Sequence, residues 1–227
     1  MNVKSKREAD KSPLDPLELV LRRSDDLHET VLALLDDADF DPSPKGQASL
    51  GMCSVSFEHW LSLRILISAD CPTSAVSLMR LQFEALTRAI WLLYAANESE
   101  IAKLTAELTI DSEQAAKNLP TVNAMIDDIG KRVGSTAPAA AHQMLAHFKD
   151  VQLKALNSFV HGGIHSLRRH SDGFPLPLIL QIVRSSNGLS TMTAMTLAIL
   201  SADAAIAKTM SRIQREFADC LPPLVGY

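Results

Sequence analysis

Glycine and aromatic residues are scarce in this 227-residue chain, with 9 Gly and 5% Phe, Trp and Tyr. A sandwich or barrel needs turn-dense, β-branched segments, so this scarcity speaks against all-β designs and for close helix packing by Ala, Leu, Ile and Met. Cysteine is equally sparse. Cys53, Cys71 and Cys220 are odd in number, far apart and without metal-ligand spacing, which excludes a disulfide framework and predicts three small core residues in a reducing compartment. Long apolar runs are missing as well. The longest, around residues 89–96, falls far short of the ~20 residues that span a bilayer, so no membrane partner is expected. Nor is there an excess of positive charge: 22 Lys and Arg face 26 Asp and Glu, a formal charge of -4, which argues against a duplex-DNA partner but leaves room for a local basic pocket. Residues 1–12 alternate basic and acidic side chains with no apolar stretch, unlike a secretory signal. They read as a disordered charged tail, residues 13–227 as a single helical domain, and the whole as cytoplasmic.

What is present is helical periodicity. Leu17, Val20, Leu21, Leu27, Val31, Leu34 and Leu35 mark a first amphipathic helix that ends before Pro42 and Pro44. A second is predicted over residues 47–69, with Met52, Val55, Phe57, Trp60, Leu63 and Ile67. A third, over residues 75–97, is capped by Thr73 or Ser74, and is apolar all round, as a central helix is. Short helices follow up to Val133. A longer one opens after Pro138 and stops at Gly162 and Gly163. Residues 164–187 read as a loop holding a short apolar helix over residues 177–183. After Gly188, near-heptad spacing of Met192, Met195, Ile199, Ile206, Met210, Ile213 and Phe217 predicts a long C-terminal helix of ~45 Å. The fold class is therefore an all-α multi-helix bundle.

Two polar constellations interrupt the apolar pattern. Arg80, Glu84 and Arg88 stand at i, i+4 and i+8 of the central helix, offset by roughly 40° per step, so they can touch one another. Removing such charges from water costs several kcal/mol each before pairing compensates. They form either a structural ion pair in a wet groove or a site where Arg80 or Arg88 binds an anion and Glu84 orients a neighbour. The second constellation lies opposite the apolar side of the helix ending at Gly162. There Lys154, Asn157 and His161 stand almost in line, and His161 occupies the last turn, where the helix dipole favours imidazolium by up to about 1 kcal/mol. This is either an ordinary solvated face or the place of a proton donor or phosphate contact. His165, Arg168, Arg169 and His170 follow closely and would attract an anion.

Several familiar motifs fail. Residues 130–136 carry the letters of a phosphate loop in the wrong order and without a preceding strand. His59 and His142 lack metal-site spacing, and no Gly-x-Ser-x-Gly elbow occurs. Neither a metal nor another cofactor is expected.

The stretch Leu156-Asn157-Ser158-Phe159-Val160-His161-Gly162-Gly163, read with Arg80-x-x-x-Glu84 in an all-α chain, resembles the HEPN superfamily. The resemblance implies a HEPN-like helical bundle. It also implies metal-independent endoribonuclease chemistry, in dimeric toxins or phage-defence effectors of bacterial stress systems, through a signature of Arg followed some residues later by His. Asn157 and His161 match the Asn-x-x-x-His part. Leu156 stands where the signature has Arg, and Lys154 offers a cation with six residues between it and His161. On that likeness His161 would move the proton of an attacking ribose 2′-hydroxyl, and Lys154, Arg80 or Arg88 would stabilise the charged transition state. Lysine cannot grip two phosphate oxygens as a guanidinium fork does. Three expectations follow: a HEPN-like protein working through RNA or protein contacts without established catalysis, an active endoribonuclease whose expression arrests growth, or a scaffold that forms a homodimer along its last helix.

Overall fold

The computed structural model describes residues 15–223, all of whose regular structure is helical. The predicted tail over residues 1–12 lies outside the described residues. The centre is a helical hairpin of α2 (Pro44–Ser68) and α3 (Pro72–Tyr94), preceded by α1 (Pro16–Leu35). Each of the three starts on a proline, whose fixed φ and missing N–H suit a first helical turn. For α3 the N-cap is Cys71, without a side-chain bond, rather than Thr73 or Ser74. The hairpin is antiparallel: Ser49 Oγ donates to Ala89 O at 2.9 Å near its open end, and Ser56 Oγ to Gln82 O at 3.4 Å further along.

Short helices α4 (Glu98–Thr105), α5 (Ile110–Ala116) and α6 (Val122–Lys131) follow, the first two opened by capping boxes on Asn97 and Thr109. The next helix runs from α7 (Ala139–Phe148) through a π-helical turn, Lys149–Leu153, into α8 (Lys154–Val160). Its cause lies in the apolar spacing. Leu145, Phe148, Leu153 and Leu156 are all buried, yet Leu153 stands five positions after Phe148. In a regular helix at about 100° per residue that step would swing Leu153 some 140° off the buried side, and the π-turn absorbs the extra residue. Val151, within the turn, is pushed out to 60% exposure. Helix α8 closes in a Schellman turn: Gly162 has φ +64° and Gly163 N–H donates to Ser158 O at 2.7 Å.

Four expectations need correction. Residues 164–172 form a helix, α9 (Ile164–Asp172), and not a loop; it is polar overall and buries none of its residues, Ile164 and Leu167 included. Helix α10 (Leu176–Leu200) passes straight through Gly188, where a Cβ would sit 2.8 Å from Pro222 Cγ. The single long C-terminal helix does not form. The chain breaks at Ala202, which takes φ +53°, and Asp203 Oδ1 caps α11 (Ala204–Glu216) by accepting from Ala205 N–H at 2.7 Å. The heptad row is divided accordingly: Met192, Ile206, Met210, Ile213 and Phe217 are buried within the subunit while Ile199 is exposed, so the row offers no continuous dimer seam. Cys71, expected in the core, is exposed; Cys53 and Cys220 are buried.

Helix α10 crosses the hairpin and carries an unusually polar buried face. Gln82 Nε2 donates to Ser186 O and Ser190 Oγ, both at 3.0 Å, and its Oε1 accepts from Ser186 Oγ at 2.6 Å. Asn187 accepts from Trp60 Nε1 and donates to Ser24 Oγ and Cys220 O, all at 2.8 Å, tying α1, α2 and the C-terminal turn to α10. Each group in this network is satisfied, which makes its burial tolerable.

Candidate functional site

The central helix and the π-bulged helix bring the two polar constellations into contact. Arg80 Nε donates to Asn157 Oδ1 at 2.7 Å, and Arg80 Nη1 lies 2.6 Å from Glu84 Oε1, off the line of a hydrogen bond. The arginine side chain is 14% exposed and the glutamate 33%, so the pair sits at the mouth of the interior and not in it. The packing of α8 on α3, in the register set by the π-turn, places Asn157 opposite Arg80. Further along the same stripe of α3, Thr87 Oγ1, Arg88 Nε and Trp91 Nε1 are buried without a hydrogen-bond partner. The stripe carries two guanidinium groups and one carboxylate, with Glu84 paired to Arg80 alone, so it is net positive.

The other predicted site residues lie further out. Lys154 and His161 are exposed, the latter as the C-cap of α8 with its N–H bonded to Asn157 O at 3.0 Å. His161 is thus one turn beyond the Arg80–Asn157 bond and on the surface. On α9, Arg168 is exposed and Arg169 partly buried. His165 N–H donates to Ser158 Oγ at 3.0 Å, and its ring stacks on Phe159 at 6.3 Å between centroids. Lys154, His161, His165, Arg168 and Arg169 have no carboxylate within ion-pair distance among the described residues.

Beside this face, α3, the π-turn, α8, α9 and α10 enclose a cleft of about 280 Å³. Its floor and walls include Met79, Leu156, Phe159 and Ile182, with Arg169 and His165 contributed by α9. The sequence pointed to Arg169 but not to this cleft, since Gln152 and Ser185, 3.4 Å apart across it, become neighbours only through the fold.

Other chemistry finds little footing. Burial pushes the Cys53 thiol up to about 12 and the Cys220 thiol to about 11, the latter raised also by Asp219, so both are poor nucleophiles near neutrality. Among the described residues no three His, Cys, Asp or Glu side chains gather as a metal would require. Likewise no described helix is long and apolar enough to cross a membrane.

Fold and site thus define an all-helical protein whose central helix presents a half-buried Arg–Glu pair to an asparagine of a π-bulged partner. Residues 53–223 match the model of DUF6988, a family of unknown function, and the chain belongs to that family. No curated protein and no solved structure matches it.

Proposed function

We propose that this chain is a HEPN-like helical protein that holds RNA by its phosphates on the outer face of α8 and α9, without cutting it. The observation that supports this reading is the exposed run of Lys154, His161 and Arg168 on two consecutive helices, with no carboxylate within ion-pair distance among the described residues. Phosphate contacts carry affinity without reading sequence, and a patch of this size on a chain of net charge -4 suits a short stretch of backbone. The Arg80–Asn157 bond anchors α8 beneath the patch. Cleavage by 2′-hydroxyl attack would ask for a guanidinium fork beside His161. Arg80 is 14% exposed and already engaged by Asn157 and Glu84, which favours binding alone.

The test is fluorescence anisotropy with a short labelled RNA between 50 and 200 mM salt. Neutralising two or three phosphates gives a slope of log affinity on log salt of roughly -1.5 to -2.5, and Lys154→Ala with Arg168→Ala should flatten it by more than one. No binding at 50 mM salt, or a slope unmoved by the double variant, refutes the reading. RNA that is cut by the wild type and spared by His161→Ala would replace it with the nuclease.

A further inference from the structure

We infer that the cleft between α3, α8, α9 and α10 is a binding site for a medium-chain monocarboxylate, with the hydrocarbon chain inside and the carboxylate on Arg169. This goes beyond RNA contact and does not depend on it.

The walls are chiefly hydrocarbon. Val76 and Met79 come from α3, Leu156 and Phe159 from α8, Leu178 and Ile182 from α10, and such a lining gains by excluding water. The polar groups are few and segregated. Gln152 and Ser185 pair with each other at 3.4 Å and Gln181 adds a neutral amide from α10, whereas Arg169 and His165 stand on α9 with no counter-charge among the described residues. An apolar body with one anionic end matches that division. A cation would meet repulsion at α9, and a neutral alcohol would leave Arg169 without a partner. Arginine suits a carboxylate in particular, because its two N–H groups fit the two oxygens in a fork.

Size narrows the ligand further. At roughly 30 Å³ per water-sized group, about 280 Å³ holds a tail of some seven to nine carbons. The π-turn contributes to the shape through Val151 and Gln152, which both line the cleft.

The experiment is isothermal titration of the full chain with straight-chain carboxylates from butanoate to dodecanoate. Affinity should rise about fourfold per added methylene and level off near eight to ten carbons, where the cavity is full. Octanol and octylammonium should bind at least tenfold more weakly than octanoate. Arg169→Gln should reduce octanoate binding at least tenfold, while Lys154→Ala leaves it unchanged. Because Val151 is 60% exposed, Val151→Trp fills the mouth without disturbing the core, and should abolish binding with the far-UV circular dichroism intact. The inference is overturned by any of three results: no saturable binding of octanoate at millimolar concentration, equal binding of octylammonium, or octanoate affinity unaffected by both Arg169→Gln and Val151→Trp. Affinity that still climbs as steeply from decanoate to dodecanoate also overturns it, since that is micellar adsorption and not a cavity.

Discussion

Replacing Asn157 by Leu, alone and together with Arg80→Met, measures how firmly the two polar constellations are joined. Leucine keeps the forked shape of the asparagine, at a somewhat larger volume, and removes the acceptor of Arg80 Nε, at 2.7 Å. A hydrogen bond to a charged group contributes ~1.5–3 kcal/mol. Stranding a fully buried ion costs ~3–5 kcal/mol, but Arg80 keeps Glu84 beside it and retains 14% exposure, so the lower range applies. A loss of about 2 kcal/mol is expected for Asn157→Leu, equivalent to roughly 4–8 °C in Tm for a domain of this size. Arg80→Met retains the aliphatic stem and leaves Glu84, at 33% exposure, to water. In the double variant the two losses should overlap, with a coupling of about 1.5 kcal/mol or more. Urea unfolding at constant m-value supplies the four free energies. Losses that add to within ~0.5 kcal/mol, the scatter of independent sites, would mean that the bond holds nothing together.

Stability should also respond to acid through His28. Its Nδ1 lies 2.9 Å from Arg64 Nη2, and since guanidinium only donates, that nitrogen accepts. Burial, then the Arg64 charge, lowers the His28 pKa, and burial lowers that of His59. The unfolded chain therefore takes up these protons first. Stability is complete above the ordinary value of about 6.5 and falls as pH drops from there through the lower native values. His28→Asn keeps an acceptor that cannot be protonated, so urea midpoints between pH 7.5 and 5.5 should decline less steeply; an unchanged decline rules His28 out. Elsewhere, Ala202 holds φ +53° on the exposed surface between α10 and α11. An L-residue there costs ~1–2 kcal/mol, partly offset in glycine by its freer unfolded chain, so Ala202→Gly should stabilise by about 0.5–1 kcal/mol in thermal unfolding. A lower Tm would contradict the conformational account.

Most helices were legible because apolar periodicity and Pro-led starts are local. What escaped depended on tertiary partners. Gly188 looks like a break in sequence, yet it lies within α10 because Pro222, 34 positions on, packs against it. Helix α9 has no buried side to betray it, and Ala202 stops the last helix without a Gly or Pro to announce the stop. The π-turn did leave a trace, the five-residue step from Phe148 to Leu153, but that step gains meaning only once both residues are known to be buried. For the candidate site, each polar constellation was visible in its own helix. Their meeting through Arg80 and Asn157, 77 positions apart, was not. The outward position of His161 is the solvated-face alternative that the polar side of its helix offered.

The polar underside of α10 bears on how this molecule can move. A helix seated on aliphatic side chains can creep along its neighbours at small cost. One whose Ser186, Asn187 and Ser190 grip partners on four other segments must break several bonds at once before it shifts by a single residue. Helix α10 is therefore a fixed post, and whatever opens or narrows the cleft it borders has to be α9, the thin outer helix that buries nothing.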